Sequence, residues 1–394
     1  MRRMAVGVLL LIVVGACSTI DQVSSLLPSS SPTPPPTVPG RFVYVTNQSS
    51  NNISEFGVAP DGTLQPLGTV PLAGGVGSSG VAADPQGRFL LVALAGGQGG
   101  IEVYAIDPLT GLLSDVPGSP FDEGRLASSP TLVAGGRFLW VARGDVHGLD
   151  LFGVDGTTGA LTANPDASVS TSGAPYASVL RPDGQFLYFA TVGPASVLTY
   201  AVNQTTGGLT AGGSAIEAPD TVSSLAFDAT GVFLYLTTAT PFTSNTVFLY
   251  RSGVANGGLT SLPGSAFDPG FDFAANDLRP DGVLFHPSGR FAYVPDRPGR
   301  AGAFSRGFWA FTFQSSGLLG PTAVGPFSTP PTAPFLIGDP SGFALDPAGK
   351  FAYATDATSN SVSSFSIDPG TGALTPLGSP VATGPSPSAI VVVP

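Results

Sequence analysis

Gly40-Arg41-Phe42-Val43-Tyr44-Val45-Thr46, then the run from Ile53 to Val58, then Asp61-Gly62-Thr63-Leu64: this stretch decides how the chain is read. Phe42 to Thr46 is aromatic and β-branched and reads as one strand, and Ile53 to Val58 reads as the next. Asp61-Gly62 supplies a tight turn between strands, because Gly takes the required backbone angles without a Cβ clash. The stretch holds three markers in order: Gly-x-Phe, an aromatic at Phe56, and Gly-x-Leu.

The same markers recur along the whole chain. Gly-x-Phe returns at Phe89, Phe138, Phe186, Phe233, Phe291 and Phe351. Gly-x-Leu follows each, at Leu113, Leu161, Leu209, Leu259, Leu319 and Leu374, with an aromatic six or seven residues before it. Seven copies of about 50 residues match the length of a four-stranded propeller blade. The expected fold is therefore all-β: a seven-bladed β-propeller of four-stranded blades. Turns such as Asp84-Pro85-Gln86-Gly87 separate the first strand of each repeat from the second. The strand before that turn is small and apolar, as in Gly80-Val81-Ala82-Ala83 and Ser388-Ala389-Ile390-Val391, which suits the innermost position. Phe42 begins the second strand of a repeat, and Ser388 to Val393 is a first strand with nothing after it. Pairing these two closes the ring and removes exposed edges.

Composition agrees. Of 394 residues 42% are hydrophobic and only 10% charged, with abundant Gly and Pro, which excludes a long-helix protein and ordinary disorder. Net charge is −11 and Lys350 is the sole lysine, so no basic track for nucleic acid exists, and no nucleic-acid partner is expected.

The N-terminus reads as an export signal. Arg2 and Arg3 precede an apolar run from Ala5 to Ala16, shorter than the roughly 20 residues that span a bilayer. Val14-Gly15-Ala16-Cys17 resembles the bacterial lipobox, which implies cleavage before Cys17 and lipidation of its thiol. The organisation expected is a signal peptide at 1–16, a lipid-bearing Cys17 with a Ser/Thr/Pro-rich tether to residue 40, and the propeller over 41–394. The lipid anchor makes the membrane a partner and the bacterial cell envelope the location. Ser18 after the Cys points to the outer membrane in a Gram-negative cell. A retained transmembrane anchor is the competing reading.

Tyr44-Val45-Thr46-Asn47 and Ile367-Asp368-Pro369-Gly370-Thr371-Gly372-Ala373-Leu374 resemble the repeats of the lactonase-type propellers, the 6-phosphogluconolactonase-like family. The resemblance covers Arg41 to Pro394 and implies the propeller fold. It implies activity less directly. Phe285-His286-Pro287-Ser288-Gly289-Arg290-Phe291-Ala292-Tyr293-Val294 looks like a family phrase that is usually preceded by Pro-Arg-His and followed by Asn-Glu. Here Pro280-Asp281-Gly282 precedes it and Asp296-Arg297 follows, so the Arg, His and Glu that would act on a lactone are absent from those positions.

The remaining candidates come from loops. Arg143, Asp145 and His147 sit together between a second and a third strand, where they would bind an anion or carry a proton; a loop salt bridge is the competing reading. His286 falls at the turn position held elsewhere by Asp84, Arg181, Asp228 and Asp346, which suits a structural role. Three insertions, Ala266 to Gly282, Pro295 to Gly307 and Pro326 to Ser341, fall on one face by strand order. They carry Asp272, Asp277, Arg297, Arg300 and Arg306 as ligand-binding candidates, against the competing reading of a salt-bridged cap. His147 and Arg297 are the catalytic candidates if the protein is an enzyme. No metal-ligand spacing exists, so neither metal nor cofactor is expected. The functional expectation is a binding or scaffold module that takes an unidentified protein or small molecule on the long-loop face. A lactone hydrolase with a rearranged site is the alternative.

Overall fold

The computed structural model describes residues 42–73, 77–94, 96–238, 247–267, 278–280, 282–298, 307–313, 317, 319–321 and 340–394. They form seven antiparallel sheets of four or five strands. Blade one runs outward from Pro387–Val393 through Phe42–Asn47 and Asn52–Val58 to Leu64–Pro71. Blades two to seven follow in chain order over 78–115, 128–170, 174–217, 222–267, 278–321 and 340–382. The outer strand of blade four is split into Leu209–Ala211 and Ile216–Glu217, and the inner strand of blade six into Leu278–Pro280 and Leu284–Phe285.

Ring closure follows the expected pairing. Phe42 stands opposite Val393, Tyr44 opposite Val391 and Thr46 opposite Ala389. The inner strands pack against one another from blade to blade around the full ring. Outer strands carry prolines at Pro66, Pro165, Pro376 and Pro380, which cannot donate to a further strand and so blunt the exposed edges.

The repeat markers explain how blades hold together. A second strand buries alternate side chains against its two neighbouring blades, and its first residue, the Phe of Gly-x-Phe, lies on the Gly of the next blade's Gly-x-Leu turn. Gly111 has φ +74, and a Cβ there would come 2.1 Å from the Phe42 ring. The other six junctions repeat this relation. Two residues further on, Tyr44 donates its hydroxyl proton to Gly111 O at 2.7 Å. Trp140, Tyr188, Tyr235, Tyr293 and Tyr353 donate in the same way to Gly207, Gly257, Gly317, Gly372 and Gly62. Only blade two, with Leu91 at this position, lacks the donor. Arg88, Arg137 and Arg290, the middle residues of three Gly-Arg-Phe markers, reach carbonyls of the same neighbouring turn.

Those outer turns are themselves capped. Asp107 accepts the backbone N–H of Leu109 and Thr110, Asp155 that of Thr157 and Thr158, and Asp368 that of Gly370 and Thr371. Each carboxylate is held below its ordinary pKa, Asp368 first by the Thr371 hydroxyl and then by its backbone bonds, Asp107 and Asp155 by their backbone bonds. Asn203 performs the same task in blade four without a charge.

Candidate functional site

Inner strands bound the central channel, and six of the seven change register near their first residues. The extra residues are Ser79, Ser129 with Pro130, Tyr176, Ser223, Ser341 and Ser388. A bulge re-aims its side chain out of the regular alternation. Four of these residues bond across a blade junction. Ser388 meets Ser78 at 3.2 Å, Ser129 meets Ser178 at 2.6 Å, Ser79 donates to Ala127 O, and Tyr176 donates to Val222 O. Burial raises the Tyr176 phenol far above its ordinary pKa, so it remains a neutral donor. Among the described residues, this end of the channel is thus a hydroxyl-rich rim. It is also the end reached by the three long connections, since each joins strand ends on this face: Phe267 to Leu278, Pro298 to Gly307, and Pro321 to Pro340.

The Arg143 loop is divided between interior and surface. Arg143 ends the strand Phe138–Arg143 and is fully buried. Its Nε donates to Asp150 Oδ2 at 3.1 Å, its Nη1 to the carbonyls of Arg125 and Leu126, and its Nη2 to Asp122. Arg125 bridges to Asp150 at 2.8 Å, and Ser168 Oγ donates to Asp150 Oδ1. Two arginines thus neutralise two aspartates, and four of the five Arg143 N–H donors have named acceptors. Asp145 and His147 lie instead in the exposed turn beyond, with His147 at φ +49. The three residues that are adjacent in sequence do not converge. Asp122, Arg125 and Ser168, the partners that decide what Arg143 does, were not foreseen, because they arrive from other segments. A shallow groove of about 50 Å³ lies over this cluster, lined by Asp122, Arg125, Asp150, Asn164, Pro165 and Ser168 among others.

His286 is a turn anchor. Its Nδ1 accepts the backbone N–H of Ser288 at 3.1 Å, and its Nε2 lies 2.7 Å from Gly349 O in the next blade. Nδ1 also lies 2.7 Å from Ser288 Oγ, so both ring nitrogens are engaged within the turn and its neighbour. Asp84 and Asp228 hold their turns in the same way, by accepting turn N–H groups.

The other candidates are placed less fully. Arg297 stands in the strand Phe291–Pro298, opposite Arg279. Cys17, Asp272, Asp277, Arg300 and Arg306 lie outside the described residues. Among the described residues no group of three or more His, Cys, Asp or Glu is placed to hold a metal ion, and no helix is long and apolar enough to cross a membrane.

The family model of the seven-bladed β-propeller lactonases matches residues 37–125 and 178–392. The chain belongs to that family. The unmatched interval, 126–177, contains blade three with Arg143, Asp150 and Ser168, while Asp122 and Arg125 end the matched segment before it. Among solved structures, the periplasmic gluconolactonase of Pseudomonas aeruginosa is 22% identical, with a TM-score of 0.65 over 90% of this chain and 99% of that one. A candidate 6-phosphogluconolactonase of Bacteroides fragilis is 19% identical, with a TM-score of 0.69 over 92% and 100%. Its counterpart from Bacteroides uniformis is 20% identical, with a TM-score of 0.67 over 90% and 99%. At these identities the likeness is one of fold. No curated protein matches the sequence.

Proposed function

We propose that this protein is a lipid-anchored bacterial cell-envelope propeller that binds a ligand on its long-loop face without turning it over. One observation carries the reading: where the similar family phrase has Arg, His and Glu, this chain has Asp281, Gly282 and Arg297. The two histidines do not replace what is missing, since His286 is spent on a turn and His147 sits at an exposed turn tip. Arg143 is likewise committed to Asp122 and Asp150.

Family membership favours a second reading, a lactone hydrolase with a rearranged site built on His147 and Arg297. Lactone hydrolysis by the full chain in detergent separates the two. The panel includes 6-phosphogluconolactone, with spontaneous ring opening subtracted. Background-level rates from a folded sample are expected. Turnover that disappears in His147→Ala or Arg297→Ala would establish the hydrolase instead.

A further inference from the structure

Blade two carries its outer turn, Asp107 to Gly111, beside the point where the chain enters the propeller. Phe42 starts the second strand of blade one, its ring lies on Gly111, and Tyr44 donates to Gly111 O at 2.7 Å. The residues before Phe42 therefore join the propeller at this corner, on the end opposite the three long connections.

The turn differs from its counterparts in what it shows to solvent. Leu109 is 69% exposed and Leu112 45%, which makes them the two most exposed leucines among the described residues. Blades three, four, five and seven have Thr157, Thr205, Ala255 and Gly370 where blade two has Leu109. They have Ala160, Gly208, Gly258 and Ala373 where it has Leu112. An isolated exposed leucine is ordinary on a protein surface. Here two project from a single turn, and the turn is fixed. The Leu109 and Thr110 N–H groups each donate to Asp107 Oδ1 at 2.8 Å, the Gly111 N–H donates to Asp107 O at 2.8 Å, and the Asp107 N–H donates to Leu112 O at 3.0 Å. A preorganised turn loses little conformational freedom when its side chains become buried.

We propose that Leu109 and Leu112 dock in a lipid surface, at the boundary between headgroups and acyl chains, beside the entry of the anchored segment. The proposal rests on the lipid-anchored reading. Ser18 to Arg41 cannot span more than roughly 85 Å even when fully extended, so an anchor on Cys17 confines the corner that holds Phe42 to the neighbourhood of the bilayer. Confinement raises the effective concentration of the surface, and a contact of two side chains then suffices. The chemistry selects the acyl boundary rather than lipid charge. Net charge is −11, and Arg88 and Arg137 at the same end are spent on Gly156 O and Gln204 O. Among the described residues this corner thus holds no basic patch to draw anionic headgroups. Docked in this way, the propeller turns its long-loop face away from the membrane.

The test reconstitutes the full chain in phosphatidylcholine vesicles with a nitroxide on Thr110→Cys, between the two leucines. A second sample carries it on Val146→Cys, an exposed position at the opposite end. A lipidated Cys17 has no free thiol, so the introduced cysteine is the sole labelling site. The label at position 110 should be accessible to oxygen and shielded from a water-soluble nickel chelate, and the label at 146 open to the chelate. Leu109→Ser together with Leu112→Ser should remove the shielding while the protein still sediments with the vesicles. Both leucines are exposed, so this variant should melt like the parent. A label at 110 that is open to nickel on vesicle-bound protein overturns the docking and leaves the anchor standing. Shielding that survives loss of both leucines overturns it too. Dipolar broadening between labels would mean that a second copy of the chain covers the leucines, which overturns the lipid assignment. A parent protein that takes up the label at Cys17 and stays off the vesicles overturns the anchor reading, and the docking with it.

Discussion

The Phe42 ring occupies the space that a Cβ on Gly111 would need, at 2.1 Å, and the same relation joins Phe351 to Gly62 across the ring closure at 2.3 Å. Each repeat marker is thus half of a contact completed by the neighbouring blade. A blade that lost either half would stand beside a neighbour with nothing to grip, which explains why the two glycine phrases recur together through the chain.

Gly111→Ala should accordingly destabilise the propeller by on the order of 3 kcal/mol, combining backbone strain at positive φ with overpacking against Phe42. Gly135→Ala is the control. Its φ is +71 but no atom lies within 4 Å of a Cβ there, so only the backbone cost, about 1 kcal/mol, remains. Thermal melts of the two variants side by side measure the difference. Equal shifts would mean that the ring contact contributes nothing.

Arg143→Ala should cost about 3–5 kcal/mol, the loss expected when one partner of a buried ion pair is removed and carboxylates are left behind. His147→Ala, in the exposed turn four residues later, should leave the melting temperature unchanged. A stable Arg143→Ala protein with weakened ligand binding would instead return Arg143 to the list of binding residues.

The pH dependence of stability has two opposed parts. Glu55 is 2% exposed, and burial raises its carboxyl above the ordinary value, partly offset by the Leu113 N–H bond it accepts. A raised folded-state pKa means that the folded protein holds this proton more tightly, so stability falls as pH rises through the folded pKa. Glu55→Gln keeps the acceptor and removes the charge. It should raise the melting temperature at pH 7–8, by an amount that vanishes below the ordinary carboxyl value of 4.5. Asp107, Asp155 and Asp368 act oppositely. Their lowered pKa values stabilise above 3.8, and the contribution disappears as pH falls through the folded values. Asp155→Asn should therefore resemble the parent at neutral pH, as Asn203 shows in blade four, and lose less in acid.

The fold was legible because its period is written in glycine and phenylalanine, residues whose roles are local and repeated. Strand ends shifted by one or two residues, Asn52, Ser78 and Pro387 beginning strands expected to begin at Ile53, Gly80 and Ser388. Site chemistry was less legible because it depends on partners from other segments. Nothing near Arg143 in sequence shows that Asp122 arrives from the preceding connection to pair with it. His286 was legible for the opposite reason: its neighbours in the turn, Ser288 and the following Gly289, belong to the repeat itself.

Closure supplies the sharpest test of the fold. Pro387–Val393 contributes the fully buried Val393, packs Ile390 and Val392 against the cluster of Val43, Val45 and Tyr353, and pairs the whole length of Phe42–Asn47. Deleting 387–394 exposes both that edge and that cluster, so the shortened chain should lose its cooperative melt and aggregate through the free strand. The same eight residues, added as a separate peptide during refolding, should restore a melt at a lower temperature, because the pairing survives but its tether does not. Tyr353→Phe removes the 3.2 Å bond to Gly62 O and should cost about 1 kcal/mol. If the truncated chain melted like the parent, the ring would not depend on its last strand, and the account of closure given by the pairing of Phe42 with Val393 would have to be abandoned.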